Sequence, residues 1–374
     1  MWQSGKMPED LFSALEKALT EAPPETALDL LIERLRSGGQ YNLMFEARLM
    51  RARLALGLPI VQTEPTSSYP DDVRPTYESA VVEAAREAGQ LYLAAGDIES
   101  GYRYLRAIGE LEPVAAAIDR AEFPEGGGAG LDAAIAIAFQ EGVHPARGLD
   151  LILRHHGMCR AITSFGMYAV PRDRDRCIAL LVRALHAEVM ERMSRAIGEQ
   201  EGAPPDVKTL PELMEGRDWL FGEYNCYVDT SHLTSVIPYA LEATDPETLG
   251  LLGELCAYGR RLAEMFRFAG PAPFEDGYAG YGAFIAGDDT YFREMLSDSP
   301  EAAPVLVNLL VRQKRFDAAL EVYLEFLRDE DPAQIRCPGP LQLCHMAGDY
   351  VRMRELARDR GDALSFAAAS ILSR

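Results

Sequence analysis

A carboxylate stands three residues before a histidine at two places in this sequence, as Glu141 with His144 and as Asp229 with His232. On a helix this spacing places both side chains on one face, and two such pairs form half of a di-iron or di-manganese carboxylate site. Pro145 disfavours a helix at the first pair, and Asp229 is better placed to cap a helix than to lie inside one. The looser alternative is a mononuclear site, in which His144, Asp229 and His232 hold a divalent metal such as zinc or iron.

The segment 217–239 gathers residue types that line small-ligand pockets. Its ligand-binding candidates are Arg217, Trp219, Tyr224, Asn225, Tyr227 and Ser231. Aromatic walls with a few convergent polar groups are typical of small-molecule sites, and here His232 and Asp229 would be the catalytic acid/base pair or the metal ligands. The alternative is structural: Asp229 caps a helix that begins near His232, and the aromatic rings fill a gap between irregular helices.

Other reactive residue types show no catalytic pattern. The chain has no GxSxG nucleophile motif, and the glycines of 126–130 are not followed by the Lys and Ser or Thr of a phosphate-binding loop. The six cysteines include no closely spaced CxxC pair, so we expect free and mostly buried thiols. The glycine- and aromatic-rich segment 270–289 is either a lid over a cavity or a connection packed against helices.

The charge balance excludes several classes of partner. The chain has 37 basic and 58 acidic residues and a net charge of −21, whereas phosphate-binding surfaces need clustered Lys and Arg. The N-terminal residues do not resemble a secretory signal, and no apolar run reaches the roughly 18 residues of a membrane span. We therefore expect a cytoplasmic, acidic protein that binds neither nucleic acid nor membrane and whose surface favours a basic ligand.

The elements that must position these residues are predicted to be helical. Two windows, 85–113 and 303–332, each contain two amphipathic segments of about 12 to 14 residues around a short polar turn. In the first window the small, aromatic and turn positions are Gly89, Tyr92, Gly96, Asp97, Gly101 and Pro113. The small residues Gly89 and Gly101 allow the paired helices to approach closely.

Both windows resemble tetratricopeptide repeats. The second is the more degenerate, because Val307 and Lys314 replace two usual glycines, although Ala319 and Tyr323 keep the small and aromatic positions. Segments 28–57 and 341–357 fit the pattern more loosely. The resemblance implies a stack of helix hairpins and a tendency to bind partners, and it implies no reaction.

Helix signals continue between the two windows. Thr244, Asp245, Pro246 and Glu247 form a helix start, residues 174–197 have a long helical pattern, and no alternating run long enough for a sheet occurs. The predicted fold is all-α, a right-handed α-solenoid of tetratricopeptide-like hairpins with an irregular central section. Its three regions are 1–123 with N-terminal repeats, 124–300 with the central helices and candidate pocket, and 301–374 with C-terminal repeats.

These observations favour a helical-repeat scaffold that binds a protein or peptide on its concave face. The alternative is a metal-dependent or acid/base enzyme with a small-molecule pocket in the central region. The scaffold interpretation has the stronger sequence support because no specific catalytic motif is present.

Overall fold

The computed structural model describes residues 9–124, 126–168, 172–222, 225–266, 270–272, 274, 276–297, 299–330 and 335–374. Across these ranges the regular secondary structure is helical and contains no β-strand, which confirms the all-α prediction.

The helices are short to medium in length and follow one another closely. The α-helices of the N-terminal half are α1 (Glu9–Glu21), α2 (Pro24–Ser37), α3 (Tyr41–Ala55), α4 (Arg74–Ala94), α5 (Ile98–Ala107), α6 (Glu112–Arg120), α7 (Leu131–Ile135), α8 (Pro145–Gly166), α9 (Arg174–Glu201) and α10 (Leu210–Met214). Those that follow are α11 (Thr230–Val236), α12 (Pro246–Phe266), α13 (Gly277–Ala286), α14 (Asp289–Met295), α15 (Ala303–Arg312), α16 (Phe316–Phe326), α17 (Pro340–Ala347), α18 (Tyr350–Asp359) and α19 (Ala363–Leu372). Turns of 3₁₀ helix cover Thr66–Ser68, Asp218–Phe221, Ile237–Leu241 and Pro300–Ala302, and a π-turn covers Ala136–Gln140.

The chain folds into two compact units. The first contains the described residues up to His155 together with Arg172, and the second contains those from His156 to Tyr168 and from Asp173 onward. The chain passes between the units within α8, close to Gly157, whose φ of 80° and ψ of 178° interrupt the helix. The three-region division based on sequence character stays a prediction.

The first unit contains the hairpin that the window 85–113 predicted. Gly89 lies against Leu105, and Gly101 lies against Leu93, so the residue numbers rise along α4 as they fall along α5 and the helices are antiparallel. A β-carbon at Gly89 would lie 2.6 Å from the Leu105 Cγ, and one at Gly101 would lie 2.7 Å from the Leu93 Cγ. The two helices can pack at this separation because both positions lack a side chain.

A shared apolar core joins this hairpin to the preceding one. Helices α2 and α3 pack against each other, and α3 packs against α4. The buried side chains of this core are Ile32, Leu35, Met44, Ala47 and Ala88. Each helix therefore buries its apolar stripe against its sequence neighbours, as expected for segments with period 3.6.

Two hairpins in the second unit occupy the C-terminal windows. Helices α15 and α16 fall in 303–332, and α17 and α18 cover the segment 341–357 and extend slightly beyond both of its ends. Lys314 in the first turn has a φ of 59°, and Gly348 in the second has a φ of 72°. Both turns use the left-handed backbone conformation, which glycine adopts without strain and lysine does not.

Three helices that precede these hairpins, α9, α10 and α12, meet at one carboxylate. His186 on α9 is buried, and its Nε2 lies 2.8 Å from Oε2 of Glu254 on α12. The same oxygen accepts the backbone N–H of Leu210 on α10 at 2.8 Å. Helix α12 begins at the predicted proline, and the Asp245 side chain caps it by accepting the Thr248 N–H at 2.9 Å.

The segment 270–289 contains helix α13 rather than an extended lid. Its aromatic side chains Tyr278, Tyr281 and Phe284 are buried, and the Tyr281 hydroxyl donates to the Ala272 carbonyl at 2.7 Å. These contacts favour the packed-connection interpretation. In the described part of the chain, no helix combines the length and apolar character needed to cross a membrane.

We expect Gly101→Ala to destabilise the first unit by about 1–3 kcal/mol, because the new methyl group overlaps Leu93 and the backbone oxygen of Gly89. The matched control is Gly250→Ala on α12, where nothing lies within 4 Å of the new carbon. The free energy of unfolding of this control variant should exceed that of the wild type by roughly 0.5–1 kcal/mol, because alanine has the higher helix propensity. Urea unfolding followed by circular dichroism measures the unfolding free energy of both variants. Equal changes of the same sign in this free energy would refute the close-packing argument.

Lys314→Gly should stabilise the second unit by roughly 0.5–1 kcal/mol, because it removes the strain of a left-handed lysine. Gly348→Ala makes the opposite change in the neighbouring hairpin and should destabilise it by a similar amount. Thermal unfolding of the two variants beside the wild type checks the pair. A stabilisation by both substitutions would contradict the turn geometry.

Candidate functional site

Arg217 and Trp219, two of the predicted pocket residues, lie beside and within the 3₁₀ turn Asp218–Phe221. Arg217 forms a two-point ion pair with Glu201 at 2.7 and 3.1 Å, and it also donates to the Leu213 carbonyl at 3.2 Å. The hydrogen bonds of this pair raise the pKa of Arg217 and lower the pKa of Glu201. Trp219 remains 39% exposed. Arg217 therefore anchors the end of α9 to this turn.

The next predicted residues also make contacts that belong to the fold. The Tyr227 hydroxyl donates to the Leu220 carbonyl at 3.1 Å, and the Tyr227 N–H donates to the Tyr258 hydroxyl at 3.1 Å. Burial raises the pKa of the Tyr227 phenol, which stays neutral. Asn225 is exposed, and Tyr224 lies outside the described residues.

The predicted metal ligands each have a different nearest partner. Asp229 caps α11, and its Oδ1 accepts the N–H of Ser231 at 2.8 Å. These hydrogen bonds lower the pKa of the Asp229 carboxyl. His144 lies with Nε2 3.2 Å from the Oδ2 of Asp119, and His232 contacts a cysteine. Within the described ranges no three His, Cys, Asp or Glu side chains are grouped as a metal ion requires. His144 belongs to the first unit, whereas Asp229 and His232 belong to the second, and the metal site stays a prediction.

The contact of His232 is one that sequence spacing could not reveal. The Nε2 of His232 lies 2.9 Å from the Sγ of Cys159, which is 73 positions earlier in the chain. Both residues belong to the second unit. His232 is 9% exposed, whereas Cys159 is exposed to solvent.

A groove in the first unit is a candidate binding site. It has a volume of about 950 Å³, and its lining comes from α3, α4, α5 and the turn Thr66–Ser68. The apolar lining residues are Phe45, Val81, Val82, Ala85, Tyr92, Tyr104, Ala107 and Ile108. Most of them are only half-buried, so the groove presents apolar surface to solvent.

Aromatic rings in mutual contact form one wall of the groove. The Tyr104 ring stacks on Tyr92 with centroids 5.7 Å apart and meets Phe45 edge-on at 5.2 Å. Tyr41 meets Tyr92 edge-on with ring centroids 5.1 Å apart. The Tyr92 hydroxyl accepts the N–H of Asn42 at 3.1 Å, which fixes the ring against α3. We call Phe45, Tyr92 and Tyr104 the aromatic wall.

Burial raises the pKa of both tyrosines of the aromatic wall, so their hydroxyls stay neutral at physiological pH. The polar lining adds Arg103 and Glu78, both exposed. Arg103 donates to the Ser100 hydroxyl at 3.1 Å, and no carboxylate of the described residues pairs with it. The groove thus combines an apolar wall with one available cation and one available anion.

Comparison of the chain with protein-family models, curated proteins and solved structures gave no match.

Sequence reasoning identified Tyr92 as a repeat position but did not identify the groove. The missing signal is the alignment of Phe45 on α3 with Tyr104 on α5, which arises only after three helices pack together.

Asp229→Ala should destabilise the second unit by about 1 kcal/mol near neutral pH, whereas Asp229→Asn should retain most of the cap. Because the folded-state pKa of Asp229 is lowered, its stabilisation is complete above the unfolded-state pKa of about 4. This stabilisation is lost as the pH falls through the lowered folded-state pKa of Asp229. Unfolding midpoints of wild type and Asp229→Ala should therefore converge on acidification, and a constant difference would argue against a carboxylate cap.

Proposed function

We propose that the chain is a helical-repeat protein of the tetratricopeptide type that binds a protein or peptide partner in the groove of its first unit. In this proposal the hairpins continue as a right-handed solenoid, and the groove lies on its concave face. The main observation in support of a binding function is the solvent-facing aromatic wall.

The repeat assignment is supported by local geometry at the positions that the sequence pattern emphasises. At Gly89 and Gly101 the helices α4 and α5 approach so closely that a β-carbon would overlap a leucine of the other helix. Gly96 has a φ of 82° in the turn between these helices, and Asp97 caps α5 by accepting the Ser100 N–H at 2.9 Å. Lys314 and Gly348 have the same left-handed conformation in two later hairpins, which supports a common hairpin design.

The binding assignment is supported by the partial solvent exposure of the groove side chains. Phe45, Tyr92 and Tyr104 are half-buried and contact one another, so their exposed parts form one continuous surface. Contiguous apolar surface of this kind is typical of interaction sites. Aromatic residues and arginine also contribute a large share of the binding energy at protein interfaces.

The lining residues favour a peptide with an apolar or aromatic anchor. Such a side chain would pack on the aromatic wall, and backbone or side-chain polar groups of the peptide would reach Arg103, Asn42 and Glu78 at the rim. Because the groove contains one cation and one anion, its charge does not select a basic ligand. The expectation of a basic partner rests on the net charge of −21 and stays a prediction.

The enzyme alternative stays a prediction. Arg217, Tyr227 and Asp229 all have hydrogen-bond partners within the fold. Cytoplasmic localisation likewise stays a prediction.

The test is selection of peptides from a random displayed library on the immobilised full chain, followed by calorimetric titration of the recovered peptides. We expect peptides with an aromatic or large aliphatic anchor. Tyr104→Ala should weaken their binding by about tenfold or more, because the variant removes the centre of the aromatic wall. Arg103→Ala should weaken binding less, because the guanidinium is exposed to water.

The matched control is Trp219→Ala, which removes an exposed aromatic side chain from the second unit. It should leave peptide affinity unchanged. If Trp219→Ala abolishes binding while Tyr104→Ala does not, the partner binds the central region and the proposed groove is wrong.

A further inference from the structure

Cys159 has the local geometry of an activated thiol. Its Sγ lies 2.9 Å from the Nε2 of His232, a distance at which the two atoms share a proton. The side chain is exposed, so a molecule in solution can reach the sulfur. A thiol in hydrogen-bond contact with an imidazole is the arrangement that produces a nucleophilic thiolate.

The helix break at Gly157 adds a second, independent contribution to the activation of the Cys159 thiol. Because Gly157 has non-helical φ and ψ, a new helix starts after it and runs over residues 158–166. Cys159 therefore lies in the first turn of this helix, where backbone N–H groups lack helical acceptors. The partial positive charge at a helix start favours negative charge on a first-turn sulfur.

The His232 ring is held in place and contacts the thiol through one nitrogen. Asp229 caps α11, so His232 falls in the first turn of that helix, and its side chain is 9% exposed. The other ring nitrogen, Nδ1, is buried and has no hydrogen-bond partner in the described chain. Catalytic triads place a carboxylate or amide at that nitrogen, and no such group is paired with it in the described residues.

The other five cysteines are at least partly buried, and burial disfavours their thiolates. Burial raises the pKa of Cys177 and of Cys256 to about 12 and that of Cys337 to about 11. Burial also raises the pKa of Cys226 and Cys344. All six cysteines lie in the described residues, and Cys159 is the exposed one among them.

We propose that Cys159 is a nucleophilic thiol that exchanges with small disulfides and so forms a reversible modification site, with His232 as its proton acceptor. His232 takes the thiol proton at Nε2, and Sγ attacks one sulfur of the disulfide. The new Sγ–S bond forms as the original S–S bond breaks. The departing thiolate receives the proton from His232, so one thiol and one disulfide become one mixed disulfide and one free thiol. This step needs no further oxidant and no carboxylate at Nδ1.

The first test compares cysteines within the wild-type chain. Limiting iodoacetamide is added to the folded protein and to the urea-unfolded protein, and each site is quantified by peptide mass spectrometry. In the folded protein Cys159 should be alkylated about tenfold faster than in the unfolded chain. The partly exposed Cys226 and Cys337 should react more slowly when folded, because burial disfavours their thiolates. A Cys159 rate no higher in the folded state than in the unfolded state would overturn the proposal.

The second test uses oxidised glutathione as the disulfide. The folded wild type should gain one glutathionyl group at Cys159, and dithiothreitol should remove it. Cys159→Ser should gain none. Modification of another cysteine in the folded protein, or no modification at all, would count against the site.

The role of His232 is tested by His232→Gln, which keeps the size of the side chain and cannot accept the proton. We expect the glutathionylation rate of Cys159 to fall by about tenfold or more. The matched control is His186→Gln, a histidine of similar burial that pairs with Glu254 instead of a thiol. Equal rates in the two variants would remove His232 from the proposal. If His232→Gln does not fold, the comparison of folded and unfolded wild type still decides whether Cys159 is activated.

Discussion

The close contact between α4 and α5 is the constraint on which the proposed binding site depends. At Gly89 and Gly101 each helix packs directly against a leucine of the other, and a β-carbon at either position would overlap that leucine. Because the backbones approach this closely, Tyr92 on α4 and Tyr104 on α5 come within stacking distance. The groove is therefore a consequence of two absent side chains, and any change in helix separation would alter the aromatic wall first.

Backbone conformation has a similar influence elsewhere in the chain. The left-handed turns at Gly96, Lys314 and Gly348 reverse the chain between paired helices. At Gly157 an extended ψ with a positive φ ends one helical segment and starts another. That break gives Cys159 a first-turn position that an uninterrupted helix would not provide. Single backbone torsions thus set both the stacking of helices and the environment of a reactive side chain.

Polar residues that suggest chemistry in a sequence are often needed by the fold itself. Asp229 satisfies the free N–H groups at the start of α11, and Arg217 joins two segments through a two-point ion pair. Glu254 connects three helices because one of its oxygens contacts both the His186 ring and the Leu210 N–H. An irregular helical protein has many helix ends, and each end needs polar partners. Clusters of Asp, Arg and His near such ends therefore predict structure more strongly than catalysis.

The sequence by itself determined that the chain is helical and where its hairpins turn, because helix periodicity, caps and turn glycines act over a few neighbouring residues. The starts of α12 and the hairpin turns lie where these local signals predict them. Only the tertiary structure decided which distant side chains meet. Phe45 reaches Tyr104, and Cys159 reaches His232, through packing between helices far apart in sequence. Such pairings depend on the separation and rotation of whole helices, which no local spacing of residues specifies.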